Sequence, residues 1–266
     1  MEAHQDIPKI LYKYRDWNNE YHKKILSNYE LYLPSTKEFN DPFEGSIPFE
    51  YDETELSTET IFQKMLSVAK EDPDHTDWNE KQIYDYTCEG YNRSAWFLDS
   101  KHIEEHKKDT KRQIEESFGI LSLAKFNNNF LMWSHYSNSH TGFCVGFDTQ
   151  KLTNAIHGIC KNVTYEDRIP IFSLFDDVGL FVDKLLFTKS KVWEYEDEFR
   201  IIKSEKAQSV VEFDPACITE IILGCRIGKK NKDEILGMVN RQISHCRVYE
   251  TGLDPKLFGL RVIQIK

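Results

Sequence analysis

The stretch "KVWEYEDEFRIIK", Lys191–Lys203, decides how the rest of the chain is interpreted. Its aromatic and apolar residues indicate a β-strand, yet Glu196, Asp197 and Glu198 stand in the middle of it. Strands disfavour Asp and Glu. Because side chains alternate between the two faces of a strand, Glu196 and Glu198 would share one face about 7 Å apart. Two carboxylates at that spacing repel each other, so we expect a cation, an arginine or a ligand between them.

The segments around this stretch alternate between strand and helix patterns. Ahead of it, "KILYKYRDW" indicates a strand, "NNEYHKKILSNY" a helix and "ELYLPSTKEFNDPFEG" a strand that ends in a turn. Residues 52 to about 118 are polar with helical periodicity, and strand patterns return in "FGILSLAKF" and "TGFCVGFD". The order predicts an α+β fold: a single domain, residues 1–266, with a mixed, strongly bent sheet and a helical insertion at about 52–118.

Composition and charge limit the classes of protein that need to be considered. The net charge of −10 argues against a general DNA or RNA coat, although a local basic patch remains open. No window approaches 18 apolar residues and the N-terminus lacks a signal-peptide pattern, so we expect a cytoplasmic protein without a membrane partner. The six cysteines form no C-x-x-C pair and are expected to be reduced core residues.

Metal-binding patterns are weak. "HIEEH", His102–His106, has the spacing of one zinc protease class, but its helix is charged on all sides and indicates a solvated face. His135, His140 and Cys144 match no standard zinc spacing. P-loop, dinucleotide-binding and hydrolase motifs are missing from the sequence as well. We therefore predict no metal site from these patterns.

Four blocks together resemble a bacterial family known as domain of unknown function 2971. They are "LYKYRDW", "EFNDPFEG", "LMWSHYSNSHTGFCVGFD" and "KVWEYEDEFRII", in this order, and the resemblance runs from about Ile10 to Gly224. The helical insertion is the least similar part. The family name implies no activity.

More distantly, the order of segments resembles ADP-ribosyltransferases that use an Arg, Ser and Glu-x-Glu triad. That resemblance implies NAD as substrate, with Arg15 at the NAD phosphates, Tyr14 as a further cofactor-binding residue, and Ser122 holding the first strand and the glutamate in register. Glu198 would be the catalytic carboxylate that stabilises an oxocarbenium-like transition state, and Glu196 would position the acceptor. The chain departs from the pattern in having Ser-Leu-Ala for Ser-Thr-Ser, and no Gly after Arg15.

Some candidate residues also have a plain structural interpretation. Trp133, His135 and Tyr136 are candidates for cofactor binding by stacking or proton handling, or else they lie on a helix that docks on the sheet. Arg15 and Arg200 would alternatively pair with the strand carboxylates in a structural ion network. A further segment, "NDPFEG", is expected to make a capped turn, although Asn40 and Asp41 would also fit a site. The residues alone leave these alternatives open.

Three functions remain open at this level. The first is an NAD-using ADP-ribosyltransferase or NAD glycohydrolase that modifies an unknown macromolecular acceptor, as a bacterial toxin or antiviral-defence effector. The second is a metal-dependent nuclease whose Mg²⁺ or Mn²⁺ is held by Asp41, Glu44, Glu196 and Glu198, with Lys191 or Lys203 as electrophilic partner. The third is a non-catalytic sensor or a module for a regulatory partner, whose polar residues pair with one another and leave no pocket.

Overall fold

The computed structural model describes residues 7–46, 49–94, 99–173 and 175–266. Residues 95–98 of the predicted helical insertion lie outside these ranges. Within the described ranges no helix is long and apolar enough to cross a membrane. The fold is α+β, which confirms the predicted class.

Fourteen strands are described, and they are listed in chain order. They are β1 (Ile10–Arg15), β2 (Glu30–Leu33), β3 (Glu50–Tyr51), β4 (Phe118–Ala124), β5 (Phe143–Asp148), β6 (Ile159–Asn162), β7 (Thr164–Glu166), β8 (Ile171–Phe172), β9 (Thr188–Ser190), β10 (Glu198–Ser204), β11 (Ser209–Glu212), β12 (Ile218–Leu223), β13 (Arg247–Leu253) and β14 (Leu260–Gln264).

Nine α-helices are described, and short 3-10 turns connect several elements. The helices are α1 (Glu20–Ser27), α2 (Pro42–Ser46), α3 (Thr58–Glu71), α4 (Glu80–Ser94), α5 (Ser100–Ser117), α6 (Phe130–Tyr136), α7 (Thr149–Ile156), α8 (Val178–Phe187) and α9 (Lys229–Gln242).

One large sheet organises the first compact unit, which comprises residues 1–45, 115–167 and 187–266. Its eight strands follow the order β14-β13-β12-β5-β1-β4-β10-β6. The β12 and β13 strands are parallel and all other neighbours are antiparallel, so the sheet is mixed, as predicted. Smaller two-stranded sheets pair β11 with β2 and β7 with β9.

Helices cover both faces of this sheet because strand residues alternate between two apolar clusters. The larger cluster joins Leu121 and Val145 to residues of α1, α7 and α9, such as Leu26 and Val239. The smaller cluster lies on the other face, under α6. Burial of these side chains is the main source of stability for such a layered domain.

The second compact unit comprises residues 46–114 and 168–186 and is mostly helical. It contains α3, α4, most of α5 and α8, with the short parallel pair β3 and β8. Rings of Phe49, Tyr51, Phe172 and Phe181 contact one another in its core. The predicted helical character of residues 52 to 118 is confirmed where it is described, while the division into domains stays a prediction.

The deciding stretch is not one strand. Lys191–Glu196 forms a 3-10 helix, Asp197 has a left-handed backbone with φ of 43°, and the strand begins only at Glu198. The prediction that Glu196 and Glu198 share one strand face was therefore wrong. The physical reason for the difference is that Asp197 adopts the left-handed backbone region, which Asp tolerates and which a strand residue does not adopt.

Candidate functional site

A pocket opens where two central strands of the sheet separate. Strand β1 pairs with β5 over its whole length, whereas its pairing with β4 is recorded at one position, Tyr12 opposite Ala124. Past that position lies a pocket of about 410 Å³, lined by β1, β4, α6, β9, β10 and the segment 34–44. All of these segments belong to the first compact unit. The divergence of β1 from β4 thus creates the cavity.

Two basic side chains of β1 line this pocket, those of Lys13 and Arg15. Lys13 Nζ donates to the carbonyl oxygen of Ser122 across the gap between the strands, at 2.5 Å. The guanidinium of Arg15 makes only a 3.5 Å contact with the carbonyl oxygen of Tyr14. Among the described residues, no carboxylate lies within salt-bridge distance of either side chain. Both groups are therefore available to a ligand.

Three glutamates converge on Lys189, which lines the same pocket as Lys13 and Arg15. Lys189 Nζ on β9 lies 2.6 Å from Glu196 Oε2, 3.0 Å from Glu198 Oε2 and 3.3 Å from Glu44 Oε2. All four side chains are at most 6% exposed. The cation expected between Glu196 and Glu198 is thus Lys189, a residue that the sequence analysis did not single out.

Arg200 completes the ion network from the neighbouring position of the same strand face. Its Nε lies 2.8 Å from Glu198 Oε1, and its other side-chain nitrogens contact Glu198 and Glu44. Its guanidinium also lies over the ring of Phe39, 5.4 Å from the centroid. The structural ion network proposed for Arg200 is confirmed, whereas Arg15 is not part of it.

The turn before α2 brings Glu44 to this network. The backbone N–H of Phe43 donates to Asp41 Oδ1 at 2.9 Å, so the capped turn predicted for "NDPFEG" is confirmed. Asp41 itself is 2% exposed, and its other oxygen is buried without a hydrogen bond among the described residues. Glu44 rather than Asp41 is the residue of this block that reaches Lys189.

Burial and charge oppose each other in setting the pKa values of these groups. Burial raises the pKa of Glu198, although Lys189 counteracts it. Burial alone would lower the pKa of Lys189, but the carboxylates of Glu198 and Glu196 outweigh it and raise that pKa above its ordinary value. Burial lowers the pKa of Arg200 to about 9 and that of Arg15 to about 10. Lys189 and both arginines are therefore cations at neutral pH.

The three residues of the predicted triad lie on three adjacent strands. Arg15 ends β1, Ser122 lies in β4 and Glu198 begins β10, and these strands are neighbours in the sheet. The Ser122 side chain lies close enough to the Glu198 carboxylate to lower its pKa, and all three residues line the pocket. The predicted order of segments therefore corresponds to a common site.

Helix α6 contributes two further candidate residues. The hydroxyl of Tyr136 donates to Glu196 Oε1 at 2.6 Å and accepts from Asn40 at 3.4 Å. The exposed His135 hydrogen-bonds the Tyr195 hydroxyl through Nδ1 at 3.0 Å. Burial and the charge of Glu196 raise the pKa of Tyr136, so its hydroxyl stays protonated. Both side chains line the pocket.

The two remaining candidates have buried positions. Trp133 is fully buried, donates through Nε1 to the carbonyl oxygen of Asn127, and does not line the pocket. Tyr14 packs edge-on against Trp133 and donates to the carbonyl oxygen of Phe126 at 2.6 Å. Trp133 thus follows its structural interpretation, a helix residue docked on the sheet. A role for either residue in cofactor binding stays a prediction.

The loop after α6 is a tight turn that abuts the end of β1. Asn138, Ser139 and His140 adopt left-handed conformations with φ between 50° and 69°. The buried His140 ring pairs with the Ser134 hydroxyl at 3.0 Å through Nε2. A Cβ at Gly142 would collide with the carbonyl oxygen of Arg15. The His140 imidazole therefore serves the turn, and the glycine allows β1 and β5 to approach.

The comparisons with known proteins find a family model that matches part of the chain, and they give no activity. Residues 132–201 match the sequence model of the family described as "Protein of unknown function (DUF2971)", which confirms the predicted family resemblance. This range includes Lys189, Glu196, Glu198 and Arg200, whereas β1 lies outside it. No curated protein and no solved structure is significantly similar to the chain.

Proposed function

We propose that the pocket between β1 and β4 binds NAD and supports cleavage of its nicotinamide-ribose bond, in an ADP-ribosyltransferase-like fold. The observation that carries the proposal is the arrangement of Arg15 and Glu198. A half-buried arginine without a carboxylate partner in the described chain lines the same pocket as a glutamate held in a fixed position. Arg15 suits an anionic group of the ligand, and Glu198 suits a positive charge that develops during the reaction.

Arg15 supplies the anion-binding part. Its guanidinium is desolvated, and a buried charge without a partner is costly unless a ligand neutralises it. Arginine binds phosphate through two parallel N–H bonds, which adds energy and direction. A pKa of about 10 still leaves the side chain cationic at neutral pH. The pyrophosphate of a dinucleotide matches this requirement.

Glu198 supplies the negative charge for the transition state. Its Oε1 accepts from Arg200, and its Oε2 accepts from both Lys189 and Arg200. Because both oxygens are engaged, we assign it electrostatic stabilisation of an oxocarbenium-like ribose rather than proton transfer. Groups fixed before the reaction need no reorganisation when charge develops, so the network around Glu198 favours this role.

The metal-nuclease alternative has less support from the same geometry. Its four candidate ligands do converge in part, since Glu44, Glu196 and Glu198 meet. The ammonium of Lys189 occupies the place between them that a divalent cation would take. No cluster of three or more His, Cys, Asp or Glu side chains suited to a metal is present in the described part of the chain.

The binding-module alternative shares one observation with the proposal. It requires polar residues that pair with one another, and the glutamate network does so. It also requires that no pocket remain, and a cavity of about 410 Å³ adjoins the network. The pocket, in which Arg15 meets no carboxylate of the described residues, therefore favours ligand binding over a purely structural network.

The test is nicotinamide release from NAD by the purified protein, with and without EDTA, together with calorimetric NAD binding. We expect release that persists in EDTA. Glu198→Gln should bind NAD and lose release by about 10²-fold or more, as for other electrostatic groups. Arg15→Gln should lose binding itself, since it removes the anion clamp.

Matched controls separate chemistry from loss of folding. Glu212→Gln and Arg261→Gln change the same residue types at exposed positions outside the pocket lining. Both should bind and cleave NAD as the parent chain does. Failure of the parent chain to bind NAD, or equal release by parent chain and Glu198→Gln, would overturn the proposal.

The cellular role that we propose with this activity is that of a bacterial toxin or defence effector. An enzyme that consumes NAD is costly to its host cell. Expression of the parent chain should therefore reduce growth and cellular NAD, whereas Glu198→Gln should express without this cost. Equal growth and equal NAD levels in the two strains would contradict the toxin role.

A further inference from the structure

Lys13 is the second basic residue of β1 that lines the pocket, and its environment differs from that of the buried Lys189. Within the described part of the chain its side chain makes one hydrogen bond, from Nζ to the Ser122 carbonyl oxygen, across the opening between β1 and β4. The side chain is partly exposed and lines the pocket. A neutral amine donates one hydrogen bond in this geometry and keeps its lone pair for a ligand.

Lys189 provides an internal comparison in the same pocket. Its ammonium contacts three carboxylates, from Glu44, Glu196 and Glu198, and it is only 4% exposed. Such contacts keep an amine protonated and therefore unreactive. Lys13 has no contact of this kind among the described residues. One pocket thus contains a neutralising lysine and a lysine without a counter-ion.

The charges around Lys13 favour its neutral form. Burial lowers the pKa of Lys13 well below its ordinary value, and the nearby charge of Arg15 acts in the same direction. The carboxylates of Glu198 and Glu196 oppose this effect, and the ammonium of Lys189 adds to it. A desolvated lysine next to another cation is the known environment of an amine nucleophile.

We propose that Lys13 is a nucleophilic amine that forms an imine with a small aldehyde or ketone carrying an anionic group, and that Arg15 binds that anion. The two residues are separated by one position on β1, so their side chains lie on the same face of the strand. A carbonyl compound whose anionic group is bound by Arg15 would therefore enter the pocket on the strand face that carries Lys13. This inference does not depend on the NAD proposal.

The step balances without an external oxidant or reductant. The lone pair of Nζ attacks the carbonyl carbon, and the π electrons move to the carbonyl oxygen, which takes a proton. Loss of a second proton from nitrogen and departure of the protonated hydroxyl as water leave the C=N bond. The net reaction is amine plus carbonyl compound giving imine plus water.

The test traps this imine in the intact protein. Pyridoxal 5′-phosphate, an aldehyde with a phosphate, is added, borohydride then delivers hydride to the imine carbon, and peptide mass mapping locates the stable amine. We expect Lys13 to be modified at least about tenfold faster than the exposed Lys101, because each unit of pKa lowering raises the neutral fraction about tenfold. Lys189 should stay unmodified.

Two comparisons test the role of the anion. With pyridoxal, which lacks the phosphate, the rate at Lys13 relative to that at Lys101 should be at least about fivefold lower than with the phosphate ester in the parent chain, and Arg15→Gln should give the same relative rate with both aldehydes. Lys13→Arg keeps a long basic side chain but removes the amine, and it should lose the label at position 13 only. Modification of Lys13 no faster than Lys101, or the same rate at Lys13 relative to Lys101 with both aldehydes in the parent chain, would overturn the proposal.

This outcome is distinguishable from that of the NAD experiment. Imine trapping uses no NAD and is read as a mass at one residue, whereas the NAD proposal is read as nicotinamide release dependent on Glu198. Either can succeed when the other fails. Both readouts use the full chain.

Discussion

The ammonium of Lys189 lies 3.0 Å from the carboxylate of Glu198, and both side chains are 4% exposed. Glu196 approaches the same ammonium at 2.6 Å from the end of a 3-10 helix. This relationship explains why a stretch rich in carboxylates is compatible with a buried location. The free energy of removing two opposite charges from water exceeds the Coulombic attraction that a poorly placed pair gains. We therefore interpret the network as a device that holds Glu198 in place more than as a source of stability.

Replacing Lys189 by Met should destabilise the protein strongly. The variant keeps most of the volume but leaves Glu44, Glu196 and Glu198 with one cation fewer, and removing one partner of a buried pair costs about 3–5 kcal/mol. Urea unfolding at neutral pH measures the change. The exposed Lys191→Met variant, whose pair with Asp167 spans 3.8 Å, should change stability by less than about 0.5 kcal/mol. Equal effects of the two variants would contradict the network.

The hydrophobic periodicity predicted most of the regular elements. The pattern "TETIFQKMLSVAKE" coincides with α3, and "TGFCVGFD" contains β5, whose residues are nearly all buried. Amphipathic helices and central strands depend on local patterns, which a sequence shows directly. The failure lies at Lys191–Glu196, where Trp193 and Tyr195 imitate strand alternation within a 3-10 helix.

The site was predicted only in part, since its charges come from distant segments. Arg15, Ser122 and Glu198 were identified from motifs, and they lie on adjacent strands. Lys189 was missed because β9 has three residues and shows no periodicity, while lysine is usually exposed. Lys13 was missed because its unusual feature is the lack of a counter-ion, which only the packing of β1 against β4 reveals.

Gly142 should be intolerant of any side chain. A Cβ there would overlap the carbonyl oxygen of Arg15 and lie 3.0 Å from that of Ser137, and backbone on both sides leaves little room to shift. We expect Gly142→Ala to cost about 1–3 kcal/mol, as overpacking does, and to weaken ligand binding by displacing Arg15. Thermal unfolding and NAD calorimetry measure both effects. At Gly259 nothing lies within 4 Å of the added Cβ, so Gly259→Ala is the control.

Ser139 tests the strain of the left-handed turn. Its φ of 54° is unfavourable for a side chain, most of all for a β-branched one, and the residue is exposed, so packing changes little. Ser139→Val should destabilise by about 1–2 kcal/mol, whereas Ser139→Gly should stay within about 0.5 kcal/mol, because relief of strain offsets the entropy of glycine. A valine variant as stable as the glycine variant would argue against this turn.

His22 should make stability depend on acid pH. Burial and the charge of Arg15 lower its pKa to about 4, and the backbone N–H of Asp16 donates to Nδ1 of the neutral ring at 3.3 Å. The unfolded chain, with a pKa near 6.5, binds the proton more tightly than the folded chain does. Stability is therefore full above about pH 6.5 and falls as the pH drops toward 4, by on the order of 1–2 kcal/mol at pH 5.

Urea unfolding at pH 7 and pH 5 measures this loss of stability. In His22→Gln the difference in unfolding free energy between the two pH values should be smaller by the contribution of His22. An independent readout is the imidazole titration followed by NMR, in which Arg15→Gln should raise the pKa of His22 because a like charge has been removed. These two measurements also report on the site, because His22 is neutral and Arg15 is charged at neutral pH. An unchanged His22 pKa in Arg15→Gln would show that the guanidinium is already neutralised by a group other than the ligand we propose.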